Sequence, residues 1–221
     1  MIPKSFIDYY GDQTRWFLGE VVNIKDDPLK IGRARVRIFG VYDEIDEEDL
    51  PWAQIVVPVT HAVNEKLGQV TGLLVGTQVF GIFLDGQSSQ LPLIVGSIPT
   101  EGDDNKKAEE NYPYNKVYET ESGHYKEYDD TPDNARISEY HKSGTNYQIL
   151  EEGDRTTLVV RDERITVKRD RYGVVIGDDT LTVSGDVNIT VEGNATITAK
   201  NVSVTGTDTV TVRGGNGVRL G

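Results

Sequence analysis

Three histidines, a run of carboxylates, a row of arginines and a glycine-rich C-terminal stretch are the side chains of this 221-residue sequence with chemistry to offer. His61, His124 and His141 stand far apart, and none is paired at metal-ligand spacing. Only a threefold axis, gathering three copies of one histidine, would give them a shared site. The chain has no Cys, which excludes thiol catalysis, disulfides and Cys-ligated zinc and leaves the redox compartment open. Ser, His and Asp are plentiful, but no Gly-x-Ser-x-Gly elbow places them. The stretch Asp43–Asp49 clusters carboxylates that could meet a cation. It lacks the glycine-punctuated spacing of a calcium loop and reads as a solvated connection. Gly214-Gly215-Asn216-Gly217 is followed by neither Lys-Ser/Thr nor a helix, so it is no phosphate loop. The sequence therefore predicts no catalytic residue, no metal and no cofactor.

The arginines are the remaining candidates. Arg33, Arg35 and Arg37 alternate with Ala34, Val36 and Ile38, a period of two that puts one face in water and one in a core. A basic stripe on a small barrel could track nucleic acid. The chain, however, carries 23 Lys+Arg against 36 Asp+Glu, a net charge of −13. Affinity for nucleic acid comes from neutralising phosphates, so neither DNA nor RNA is expected as a partner. The stripe reads instead as a solvated or protein-docking face, because Arg is enriched at protein interfaces. Charge alone also disfavours an anionic membrane surface. No apolar run is long enough to span a bilayer, and no secretory signal is expected at the N-terminus.

The elements that must position these residues fall into two regions. All five Phe, both Trp and all eight Pro precede position 133, and no aromatic residue follows Tyr172. Residues 1–15 read as an N-terminal arm anchored by Phe6, Ile7, Tyr9 and Tyr10. Strands are predicted over 16–24, 33–39, 52–59, 76–84 and 91–98, with a turn at Asp26-Asp27-Pro28. Five short strands separated by turn signals fit a small closed barrel of the OB type over residues 16–99. Residues 100–116 are charged, lack periodicity and read as a linker. Residues 117–150 read as an extended, Tyr-rich lead-in, broken at Ser122-Gly123 and Ser143-Gly144, with seven Tyr between Tyr112 and Tyr147.

From 151 to 221 a repeat takes over. Gly177, Gly185 and Gly193 are eight residues apart, as are Gly206 and Gly214. Val183, Val191, Val204 and Val212 each stand two residues before such a glycine. The parity of the apolar positions switches after Ala199, where Asn201 replaces the expected Gly, a break that predicts a bulge or irregular turn. Thr and Val favour pleated backbone, and a glycine in each octad is expected to supply a positive-φ corner. One octad is a strand and a turn, too little to cover its own apolar face, so such repeats need neighbours. A narrow core of Val and Ala suits three chains intertwined about one axis, with Val183, Val191, Val204 and Val212 facing inward. A single-chain β-helix is the competing architecture, but it requires longer coils than the octad.

Several motifs, in order, carry a family resemblance. Asp27-Pro28-Leu29-Lys30-Ile31-Gly32-Arg33-Ala34-Arg35-Val36-Arg37-Ile38 resembles the signature of central spike proteins in contractile-tail phage baseplates. Leu50-Pro51-Trp52 and Gly76-Thr77-Gln78-Val79-Phe80-Gly81-Ile82-Phe83-Leu84-Asp85 resemble the motifs that follow it. Tyr112-Pro113-Tyr114-Asn115-Lys116, Glu121-Ser122-Gly123-His124, Asp130-Thr131-Pro132 and His141-Lys142-Ser143-Gly144-Thr145 resemble the segment leading into the C-terminal helix of that family. The resemblance implies an all-β chain: an OB-fold barrel followed by an intertwined, homotrimeric β-helix. It further implies a virion location in the tail baseplate, docking on the tail-tube hub, for which Arg33, Arg35 and Arg37 are the candidate surface. It implies mechanical entry into the host outer envelope and leaves room for a tip-capping protein, a plan shared with the VgrG spikes of type VI secretion. A lysozyme domain inserted in the best-known member is not expected, because residues 100–116 cannot hold two placed carboxylates and a substrate cleft. A trimeric polysaccharide-degrading or receptor-binding tail protein is the alternative. Against the first stands the absence of aromatic sugar platforms after Tyr172.

Overall fold

The computed structural model describes residues 14–61, Asn64, Glu65, Leu67, Gly68 and residues 72–218. The arm anchors Phe6, Ile7, Tyr9 and Tyr10 lie outside the described residues. The chain divides into two units, Met1–Arg164 and Ile165–Gly221.

The first unit opens with β1 (Arg15–Asn23), β2 (Ala34–Ile38), β3 (Trp52–Ile55), β4 (Gln78–Phe83) and β5 (Pro92–Ile98). They close into a barrel of order β1-β2-β3-β5-β4, with β1 pairing back onto β4. All pairs are antiparallel except β3 with β5. The barrel has the strand order of an OB-type fold. Alternation explains β2 directly: Ala34, Val36 and Ile38 are buried while Arg35 and Arg37 between them are half-exposed on the other face. Phe17, Val21, Tyr42, Leu50, Ala53, Val79, Phe83 and Ile94 join them in the apolar interior. Gly81 is needed there, because a Cβ would collide with the Phe17 ring and the Leu93 carbonyl. The third strand stops earlier than its composition predicts. The Val56 N–H still donates to the Ile94 carbonyl, but Pro58 has no N–H, and the chain turns into a 3₁₀ segment at Val59–His61.

The segment expected to be a linker contains α1 (Lys106–Glu110), whose N-cap Asn105 accepts from the Lys107 and Ala108 N–H groups at 3.0 Å each. A single capped turn has no room for apolar periodicity, so only the Asn could announce it. The Tyr-rich stretch is a meander of β6 (Asn115–Glu119), β7 (Tyr125–Asp129), β8 (Arg136–Tyr140) and β9 (Asn146–Ile149). A fifth strand, β10 (Arg155–Leu158), joins it from within the segment assigned by its sequence to the repeat. Gly123, Gly144 and Gly153 take the left-handed φ that its tight turns require.

The second unit is extended. Among residues 165–218 none belongs to a strand or helix within the single chain, and every one is exposed. Bends recur at Lys168-Arg169, Ile176-Gly177, Ser184-Gly185, Glu192-Gly193 and Lys200, a step of eight residues. The next bends, at Thr207-Asp208 and Gly215-Asn216, are again eight apart but out of phase with the first set. The phase slip falls where the apolar parity switches after Ala199. The glycine expectation needs correction: none of Gly177, Gly185, Gly193, Gly206 and Gly214 takes a left-handed φ. At Gly206 glycine is required by close approach, since a Cβ would lie 2.9 Å from the Thr209 carbonyl oxygen. Gly214 meets the Gly217 carbonyl in the same way.

Candidate functional site

The loop between β1 and β2 holds a dense polar network. Asp27 is buried, and its carboxylate accepts from the N–H groups of Leu29 (3.0 Å), Ile31 (3.0 Å) and Arg33 (3.2 Å). The Arg33 guanidinium adds two bonds, at 3.0 and 2.6 Å. Lys30 and Gly32 take positive φ inside the loop. Burial alone would raise the Asp27 carboxyl. The guanidinium and the three N–H donors outweigh that and hold it well below the usual carboxylate range. The Asp-Pro-Leu-x-x-Gly-Arg motif is thus a self-contained fastening of one loop, in which Arg33 serves Asp27.

The other two arginines are also turned onto their own domain. Arg35 donates to the Glu47 carbonyl at 2.8 Å and lies 4.8 Å over the Trp52 ring. Arg37 donates to the carbonyls of Tyr42, at 2.9 Å, and Ile45. The acidic connection therefore folds back along the arginine row and meets it through backbone carbonyls rather than carboxylates. Within it Glu47–Asp49 form a 3₁₀ turn, Glu47 accepts from Asn23 at 2.8 Å, and Asp43 accepts from the Gly40 N–H at 2.9 Å. Among the described residues no three metal-ligating side chains converge. The stripe legible in the sequence is real, but each guanidinium already has partners.

A surface that charge patterning did not single out lies on the barrel wall formed by β1, β4 and β5. Trp16 (66 % exposed), Leu18, Phe80, Val95 and Ile98 are all exposed there, with the Trp16 and Phe80 rings 6.5 Å apart. Pairing puts Trp16 opposite Ile82, Leu18 opposite Phe80 and Gln78 opposite Ile98, so most of these apolar side chains share the outward face. The signal in the sequence was the parity of Trp16 and Leu18, opposite to that of buried Phe17 and Val21.

The meander buries charge instead of hydrocarbon. Asn115, Glu127, Asp129 and Ser138 are its most buried side chains. Arg136 bonds Glu127 at 2.9 Å and Asp129 at 3.2 Å. Asn115 donates to Glu127 at 3.1 Å, Asn111 to Asp129 at 2.7 Å, and the Thr131 hydroxyl to Asp129 at 2.5 Å. For both carboxyls burial acts upward. It is overcome at Glu127 by Arg136 and Asn115, and at Asp129 by Thr131, Asn111 and Arg136, so both are held below their ordinary range.

The histidines are placed unequally. His61 is exposed at the end of its 3₁₀ turn. His124 and His141, remote in sequence, flank the Tyr125–Tyr140 register pair, and their rings stand 4.5 Å apart. Only the β7–β8 register could reveal that pairing. Val183, Val191, Val204 and Val212 are at least 45 % exposed in the single chain, alongside the octad glycines Gly185, Gly193, Gly206 and Gly214.

The sequence model of the family described as the Gp5 N-terminal OB domain matches residues 37–210. The pre-baseplate central spike protein Gp5 of Enterobacteria phage T4 is 38% identical over 89 residues, 36% of this chain and 15% of that protein. Protein Gp5 of Vibrio phage KVP40 is 24% identical over a 273-residue alignment that covers 76% of this chain and 65% of that protein. The chain thus spans less than two thirds of the length of either relative.

Proposed function

Because the chain belongs to the Gp5 N-terminal OB domain family, we propose that it is the central spike of a contractile-tail baseplate, carried on the virion and without enzymatic activity. The observation that carries this reading is the second unit. Its bends recur every eight residues, and its apolar side chains have no cover within one chain. A chain that leaves so many Val and Ile in water is stable only if copies of itself bury them. Three extended chains, each bending in step, would form a triangular prism with Val183, Val191, Val204 and Val212 towards the axis. Their unpaired backbone N–H and C=O groups would bond between chains, which also removes the open edges. Dense backbone pairing around sealed apolar layers makes such a rod stiff, as mechanical penetration of an outer envelope requires.

The barrel is the part suited to docking on the tail-tube hub. The apolar β1–β4–β5 wall is better supported for that contact than Arg33, Arg35 and Arg37, whose guanidinium groups are engaged within the barrel. A further protein would cap the far end of the prism. Absolute mass by light scattering, with electrophoresis of unheated detergent samples, tests the assembly. The expected species has three times the 24.5 kDa chain mass and survives detergent. A 24.5 kDa monomer would overturn the reading. Val191→Asp should abolish assembly, since it gathers like charges at the axis without water to screen them. A trimer of unaltered melting temperature from that variant would refute the packing.

A further inference from the structure

The tyrosine-rich meander has no task in the spike reading, and one of its faces is unusually organised. Tyr118 stands opposite Lys126, Lys126 opposite Glu139, Glu139 opposite Tyr147, and Tyr147 opposite Thr157. Directly paired residues share a face, so these five side chains form one row across the whole sheet. His124 and His141 lie two residues on from Lys126 and Glu139 and therefore project from the same side. The covered side is the other one, where Asn115 donates to the Lys107 carbonyl of α1 at 3.0 Å. The row, the histidine pair and the hydroxyls of Thr120 and Thr145 line an open cavity of about 570 Å³.

We propose that this groove binds a neutral saccharide chain. Tyr118 and Tyr147 bound it on two sides, three strand spacings apart, which is about 14 Å and room for two or three sugar rings. Tyrosine suits that place because its ring packs on the C–H face of a pyranose while its hydroxyl bonds to the sugar. Between the walls, Lys126 and Glu139 form an exposed ion pair at 3.2 Å. Side by side they offer a donor and an acceptor, the pattern that vicinal hydroxyls complement. Arg155 lies 5.1 Å over the Tyr147 ring and orients it. The row carries one charge of each sign, Lys126 and Glu139, and they pair with each other, so neither a phosphate nor a cation is favoured. A peptide recognised as an added strand would pair with a sheet edge rather than lie across a row of side chains. The volume falls within the range of small-ligand sites.

The proposal is independent of the spike reading. The full chain is titrated with cellotriose, maltotriose and the trimer of N-acetylglucosamine, by calorimetry and saturation-transfer NMR. At least one should bind. The double variant Tyr118→Ala/Tyr147→Ala should weaken it by about tenfold or more, and Glu139→Gln by a smaller factor. Leu29→Ser, on the barrel, should leave it unchanged. Failure of all three sugars to bind would overturn the proposal, as would undiminished binding by the double variant. A fall in assembly mass of the double variant, with no sugar bound by the parent chain, would overturn it in favour of contact between copies.

Discussion

The barrel and the meander are neighbouring β-structures of one unit, but different forces hold their interiors. Inside the barrel, Ile38, Val36, Val21, Val79 and Ile94 exclude water almost completely. On the covered side of the meander, the corresponding places go to Asn115, Glu127, Asp129 and Ser138, fastened by Arg136. The barrel closes on itself and can enclose hydrocarbon. A single open sheet covered by one short helix cannot, so its interior consists of polar groups that satisfy one another. Dispersion and desolvation tolerate changes in pH. A network of ionised carboxylates does not.

That contrast can be broken, the largest effect first. Ile38→Ala should lower the free energy of unfolding in urea by about 3 kcal/mol, through lost burial and the cavity left behind. This loss should be the same at pH 7 and pH 4. Arg136→Ala should cost a similar amount, about 3 kcal/mol, because two buried carboxylates lose their cation. Its deficit should shrink as the pH falls, since protonation removes the uncompensated charge. A pH-independent deficit would show that Arg136 acts by packing alone.

The parent chain should follow the same linkage. Asp27, Glu127 and Asp129 are all held below their ordinary range in the folded state. The unfolded chain therefore takes up protons first. The stability these groups contribute is complete above the unfolded carboxylate values, about pH 4–5, and is lost as the pH falls through the folded ones. Melting temperature measured from pH 7 to pH 3 should decline in that window. Hydrogen exchange should show β6–β8 opening before the barrel interior; the reverse order would contradict the comparison. At the alkaline end, burial and the nearby Asp85 raise the Tyr42 hydroxyl to about 12. Its contribution should persist to about pH 10 and fade as the pH climbs through that raised value. The smallest effect is local: Asn105→Ala should cost about 1 kcal/mol by uncapping α1.

Much of the fold was legible in the residues themselves because strand periodicity and turn chemistry are local. The alternation of Arg33, Arg35 and Arg37 with Ala34, Val36 and Ile38 defines the inside of β2 without reference to any partner. The octad spacing of Gly177, Gly185 and Gly193, with its slip after Ala199, anticipates the bends of the second unit, since a backbone repeat follows its own sequence period. Tertiary structure decided what side chains do across strands. It turned Arg35 and Arg37 onto the carbonyls of an acidic loop, brought His124 beside His141, and set Tyr118, Lys126, Glu139, Tyr147 and Thr157 in line. Those placements depend on register between segments distant in the chain, and a one-residue slip would send each of these side chains to the opposite face.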